Sequence, residues 1–319
     1  MALYFRVDWR ALETDGTMNA SSDTEAMGVQ VREGTVRLRD GRRLAYVESG
    51  DLSGLPVFFI HGNPGSRHMR HPDDRLTHAL GVRLITPDRP GYGLSDYQPG
   101  RTLLDFPNDL EQLANALRVG RFALFGVSAG GPYVAASAWK LGERITRAAL
   151  VSGAAPLARP GAMEGVNRDY RNAYAMAAWP EWLLHPLMAM HDRQVRANPS
   201  RALAGLRSQA SADDRAVLAD PRIAAQVQGW RYEATRKGVA GIRREAHILA
   251  QPWNVPLEEI RTEVDLWYWE GDSIVPPQMG RYLANRIPRA VPRFFPGGGH
   301  FSIFSHWTDI LTPLVRQGS

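Results

Sequence analysis

The sequence predicts an α/β protein built on a mostly parallel sheet buried on both faces, with a helical segment inserted late in the chain. Three observations predict it. Short apolar runs recur at VFFI (57–60), VRLIT (82–86), FALFG (122–126) and AALVSG (148–153), separated by loops or helical stretches. Continuous apolar strands alternating with helices mark βαβ units, in which helices cover both faces of the sheet. The strand signal then stops between about Pro156 and Pro256 and resumes with VDLWYW (264–269) and AVPRFF (290–295). The expected organisation is therefore a core domain formed by residues 31–155 and 257–319, with a helical cap, or lid, over residues 156–256.

Residues 1–30 are polar and lack sustained periodicity, so a loosely held N-terminal extension is expected there. From Thr35, TVRLR and RRLAYVES alternate around Asp40-Gly41, the pattern of a β-hairpin. Helical stretches are expected over Phe106 to Leu117 and Gln278 to Arg286. The inserted segment is rich in Ala and Arg and is punctuated by Pro180, Pro186, Pro199 and Pro221. It carries Met176, Trp179, Trp182, Met188, Met190, Trp230 and Tyr232. Most of these side chains are expected to pack the cap onto itself and the sheet. A few would line an apolar cleft.

Composition excludes several kinds of chemistry. The chain has 319 residues, 44% hydrophobic and 22% charged, which suits a globular protein with a sizeable core. Cysteine is absent, so disulfides, a thiol nucleophile, thiolate zinc sites and Cys-ligated clusters are excluded. Lys140 and Lys237 are the only lysines, leaving 36 Arg among 38 basic residues, and these are scattered instead of forming a run. A nucleic-acid-binding stripe would need clustered charge, so no nucleic-acid partner is expected. No stretch approaches the roughly 20 apolar residues of a membrane span. Arg6, Asp8, Arg10 and Glu13 interrupt the start, so a secretory signal is not expected and the expected location is cytoplasmic.

The chemistry-bearing constellation begins at Gly126-Val127-Ser128-Ala129-Gly130, where a G-x-S-x-G joins a buried strand to a helix. A sharp strand-to-helix turn strains its central serine and crowds the positions two before and two after, which Gly126 and Gly130 answer. His61-Gly62-Asn63-Pro64-Gly65 follows VFFI directly. The backbone N–H groups of Asn63 and Ala129 would then form two donors for a developing alkoxide. Asp272 falls just past the strand VDLWYW, and His300 just past the next strand and three glycines that would let its loop swing toward the serine. An imidazole accepts and returns a proton near neutrality, and a carboxylate fixes its tautomer. Glu270 is a rival acid and His306 a rival base. His61 is expected to serve its own loop. His68, His71 and His78 read as mostly surface residues, with 68 and 71 about one helical turn apart and no metal set completed.

With Asp88-Arg89-Pro90-Gly91-Tyr92-Gly93-Leu94-Ser95 and the inserted helices added, the chain resembles the α/β-hydrolase superfamily over roughly residues 35–315. The resemblance implies a mostly parallel eight-stranded sheet, a Ser128–Asp272–His300 triad, no cofactor, and a small or medium ester, or an amide, as substrate. The HG-x-P-G loop and the cap also resemble proline iminopeptidases. Those usually have Gly where Asn63 stands and typically a Trp after the serine. In that reading Glu164, Glu181, Glu233 or Glu245 would receive a substrate ammonium. Epoxide hydrolases and haloalkane dehalogenases use Asp where Ser128 stands. C–C bond hydrolases, perhydrolases and a non-hydrolytic binding protein remain open alternatives, as does the oligomeric state.

Overall fold

In the computed structural model the described residues are 30–177 and 179–316. The expectation for the N-terminal extension lies, apart from Gln30, outside them. Eight strands form one sheet in the order β1-β2-β4-β3-β5-β6-β7-β8. The first hairpin pairs β1 (Arg32–Arg37) with β2 (Arg43–Gly50) across Asp40-Gly41, where Gly41 takes a φ of 86°. Strand β2 runs antiparallel to both its neighbours, and the other contacts, from β4 (Val82–Pro87) to β8 (Ala290–Phe295), are parallel.

Uninterrupted apolar runs are explained by the two cores they feed. In β3 (Leu55–Ile60), Phe58 and Ile60 point to one face, with Leu124 of β5 (Phe122–Val127) and Leu150 of β6 (Ile145–Val151). That face is covered by the apolar sides of α2 (Phe106–Ala116), α3 (Gly131–Lys140) and α10 (Pro277–Ala284). Val57 and Phe59 point to the other face with Phe125 and Val127. There the Phe59 ring stacks on Phe125 with centroids 4.3 Å apart, and both meet the edge of Trp307 in α11 (Trp307–Val315). α1 (Asp74–Ala79) packs beside it. Strands β3 to β7 thus bury both sides over most of their length, and a two-residue alternation is lost.

Between β6 and β7 (Val264–Trp269) the described residues form six α-helices: α4 (Arg168–Met176), α5 (Glu181–Ala197), α6 (Pro199–Gln209), α7 (Ala212–Val217), α8 (Pro221–Ala234) and α9 (Ala240–Ala250). The expected packing of their large apolar side chains is only partly met. Trp230 is buried and stacks on Phe304, whereas Trp179, Trp182, Met190 and Tyr232 are exposed. The reason is layering. Helix α5 makes its main contacts with α6 and α9, and Arg196 and Asp192 tie it to Thr235 at the end of α8, while Trp182 and Met190 stay exposed.

Candidate active site

Because β3 to β8 are parallel, the segments leaving β3, β4, β5, β6, β7 and β8 meet at one rim. Ser128 lies where β5 enters a short 3-10 turn that continues into α3. Its φ is 56°, a left-handed conformation that is costly for a non-glycine residue and is held only by its surroundings. Those surroundings are tight. A Cβ at Gly130 would lie 2.2 Å from the Ile60 carbonyl oxygen, and one at Gly126 would lie 2.7 Å from Val134. A Cβ at Gly62 would come within 3.2 Å of the Ser128 Cβ, so the loop after β3 lies directly against the serine.

The loops after β7 and β8 bring two of the expected residues together. His300 Nδ1 donates to Asp272 Oδ2 at 2.9 Å, which leaves Nε2 as the acceptor. Asp272 is fixed in turn. Its Oδ1 accepts the Ile274 and Val275 N–H groups at 2.8 and 2.9 Å, and its Oδ2 accepts the Ser152 hydroxyl at 2.7 Å. Burial alone would depress the imidazole, but the charge and hydrogen bond of Asp272, with the charge of Asp214, raise its pKa above the ordinary value of 6.5. Ser128 and His300 share the rim but no hydrogen bond joins them among the described residues; such contacts are often long without substrate. The rivals are engaged elsewhere. Glu270 is exposed and paired with Arg281, and His306 pairs with Asp309 at 3.1 Å while stacking on Phe295.

The loop after β3 is braced from below. His61 is fully buried; its Nε2 accepts the Arg89 N–H at 3.2 Å, and its Nδ1–H donates to the Gly62 carbonyl at 2.8 Å. Burial and the Arg89 charge hold its pKa well below 6.5, so it is neutral and supports the loop, as its position before Gly62 suggests. Arg89 also donates to the Gly62 carbonyl at 3.0 Å. Tyr92 donates to Asn63 Oδ1 at 3.0 Å, and the Asn63 N–H has no partner among the described residues. Ala129 is buried in the first turn after β5, where N–H groups have no intrahelical acceptor.

The other histidines differ from expectation. His68 and His71 lie in the irregular stretch before α1, not one turn apart on a helix, because Pro72 and the Asp73 cap start the helix only at Asp74. They and His78 are half-buried, not surface residues. Among the described residues no three His, Asp or Glu side chains gather to hold a metal. Sequence reasoning also missed a set of buried ion pairs. Glu245 of α9 accepts from Arg89, from Arg101 at 3.0 Å and from the Tyr133 hydroxyl at 2.8 Å, with all three charged side chains buried. Glu233 of α8 pairs with buried Arg67 at 2.6 Å, and Arg67 also holds Asp88 at 2.9 Å. Burial raises the Asp88 pKa to about 6 despite Arg67. Arginines spread through a sequence give no sign of which are buried; the only cue was Arg89 inside the Asp88–Ser95 segment.

This strand order, with a strained serine on the turn after its central strand, is that of an α/β hydrolase. A sequence model of the alpha/beta hydrolase fold matches residues 56–306, and the chain belongs to that family. A Mycobacterium tuberculosis protein provisionally named non-heme bromoperoxidase BpoC is 25% identical over 280 residues, 86% of this chain and 96% of the relative. A proline iminopeptidase of Xylella fastidiosa is 31% identical over 126 residues, 37% of this chain and 38% of the relative. Among solved structures, an esterase from Exiguobacterium antarcticum superposes with a TM-score of 0.67 at 20% identity, covering 89% of this chain and 99% of the esterase. No helix among the described residues is long and apolar enough to cross a membrane.

Proposed function

We propose that this chain is a serine hydrolase that cleaves a small or medium carboxylic ester through an acyl-enzyme. In this reading Ser128 attacks the ester carbonyl while His300 Nε2 takes the hydroxyl proton. Asp272 holds the imidazole in the required tautomer and supports the imidazolium. The N–H groups of Asn63 and Ala129 face the oxygen on which charge develops. The imidazolium returns its proton to the departing alkoxide, releasing the alcohol. Water, deprotonated by His300, then attacks the acyl group, and collapse of that adduct releases the acid and restores Ser128. The observation that carries the reading is the 2.9 Å bond from His300 Nδ1 to Asp272 at the rim where Ser128 stands on its strained turn. No step requires a cofactor.

The aminopeptidase alternative, which the partial match to proline iminopeptidases brings forward, needs an unpaired acid to receive a substrate ammonium. Glu233 and Glu245 are each engaged by buried arginines. Glu164 is exposed, and the side chain of Glu181 lies outside the described residues. This pairing favours an ester over an N-terminal amine. The test is turnover of short-chain p-nitrophenyl esters beside proline anilides. Ser128→Ala is expected to lower ester turnover by roughly four orders of magnitude or more and to abolish labelling by a fluorophosphonate. Ester turnover retained in that variant would refute the assignment, and preference for the anilide would transfer it to the peptidase class.

A further inference from the structure

The loop that carries His300 begins with Gly297, Gly298 and Gly299, a run that suggests freedom to swing. It is instead tied to the inserted helices. Asp214, in the first turn of α7, is buried, with 3% of its surface exposed. Its Oδ2 accepts the His300 N–H at 2.9 Å and its Oδ1 accepts the Phe301 N–H at 2.7 Å. The neighbouring Asp213 accepts the Gly298 N–H at 2.5 Å. Gly299 is the residue that permits this approach, since a Cβ there would lie 2.2 Å from Asp214 Oδ2. Asp214 is itself anchored, because its own N–H donates to the Ser211 hydroxyl at 3.0 Å.

A carboxylate that closes two loose amides far from any reacting group would be ordinary loop chemistry. Here the two amides belong to the proposed base and the residue after it. Rotation of the His300 backbone would swing the imidazole about the 2.9 Å bond to Asp272 and change where Nε2 points. We propose that Asp214 is a positioning residue for the reaction: from α7 it fixes the backbone of His300 and so the direction in which the imidazole meets Ser128. The inference rests on the serine-hydrolase reading above.

The charged and titratable groups around His300 come from several elements. Asp272 follows β7, and Asp214 comes from α7. Tyr170 of α4 lies within range of both carboxylates and of Arg231 of α8, and Tyr174 within range of Asp272. Burial raises both phenols above their ordinary value, so they stay neutral when His300 titrates. Asp214 itself is raised by burial, partly offset by the Phe301 and His300 N–H groups and the imidazole charge.

The rate at which a fluorophosphonate labels Ser128, followed against pH, reads the imidazole without knowledge of the natural ester. His300 must be neutral to act as base, so the rate rises through its pKa to a plateau. Asp214→Asn removes a negative charge and turns an N–H donor toward one amide. Its plateau is expected to fall about tenfold as the imidazole loses alignment, and its midpoint to move down by about half a pH unit or more as the charge is lost. Gly299→Ala keeps the charge but forces the carboxylate off the amides. Its plateau should fall similarly, with a smaller downward shift. Asp169→Asn, an exposed site on α4, removes the same charge elsewhere and should leave both quantities at wild-type values. A wild-type plateau in a folded Asp214→Asn protein, whatever its midpoint, would overturn the proposal. If that variant does not fold, a wild-type plateau in Gly299→Ala would overturn it. Labelling of Ser128→Ala as fast as wild type would instead remove the triad reading, and this inference with it.

Discussion

Replacing Glu245 with glutamine is expected to destabilise the protein severely while leaving the rim groups chemically intact. The three charged side chains, Glu245, Arg89 and Arg101, are essentially inaccessible, at 0%, 0% and 1% exposure. Glutamine keeps nearly the same shape, retains one acceptor, and turns an NH2 toward a guanidinium. Both arginines would then be buried with no carboxylate among the described residues to neutralise them. Removing one partner of such a set costs about 3–5 kcal/mol. At about 2–4 °C per kcal/mol for a domain somewhat smaller than this one, the melting temperature should fall by about 6–20 °C. Burial opposes the charged form of Glu245, but Arg89 and Arg101 more than offset it and hold its pKa below the ordinary 4.5. A lowered carboxylate contributes stability that is complete above pH 4.5 and is lost as pH falls through the folded-state value. The gap between wild type and variant should therefore be full near neutrality and narrow in acid. Calorimetry across pH 3–8, with ester and anilide kinetics at neutral pH, makes the measurement. A variant that melts within 2 °C of wild type at neutral pH but loses affinity for amine substrates alone would refute the structural role and make Glu245 an ammonium receptor.

Two further outcomes follow from the same geometry. The Asp272 and Asp214 charges raise the His300 pKa against its burial, so the acid limb of kcat/KM for an ester should have its midpoint above pH 6.5; a midpoint at or below 6 would contradict the pairing seen at the rim. Gly130→Ala places a Cβ 2.2 Å from the Ile60 carbonyl and should cost about 1–3 kcal/mol or more with loss of serine labelling. Gly205→Ala, in a stretch of α6 with open space around it, should be neutral or stabilising by up to about 1 kcal/mol. Equal melting and labelling in the two variants would show that the turn at Ser128 is not closely packed.

How far these features were legible depends on the range of the interaction behind them. Strands β3 to β7 could be read because burial on both faces forces continuous apolar runs, and the hairpin because Asp40-Gly41 suits a turn with positive φ. The turn at Ser128 was legible for a similar reason: steric crowding admits little but glycine at 126 and 130, so a long-range contact with Ile60 leaves a local mark. Asp272 and His300 were legible from their places after successive strands, and Asp272 could be preferred to Glu270 because Glu270 sits at the strand end itself, where it pairs with Arg281. The exposure of Trp182 was not legible, since an amphipathic helix lying on other helices has the same periodicity as one lying on a sheet. Nor were Asp214, Glu233 and Glu245. A carboxylate that pairs with an arginine or an amide a hundred residues away looks, in sequence, like any solvated acid.

These three carboxylates share one arrangement. Each stands on an inserted helix and reaches a group belonging to, or supporting, a loop at the sheet rim. Glu245 holds Arg89, which braces His61 and the Gly62 carbonyl below the backbone of Asn63. Glu233 holds Arg67, which fixes Asp88, and Asp88 in turn accepts the Leu94 N–H at 2.9 Å. Asp214 holds the amides of His300 and Phe301. Helices α7, α8 and α9 therefore cannot lift as a body without exposing buried guanidiniums and freeing the backbone of the proposed base. By contrast, the side-chain hydrogen bonds of α5 and α6 beyond their own helices run to other inserted residues, such as Arg196 to Thr235 and Arg207 to the Leu218 carbonyl.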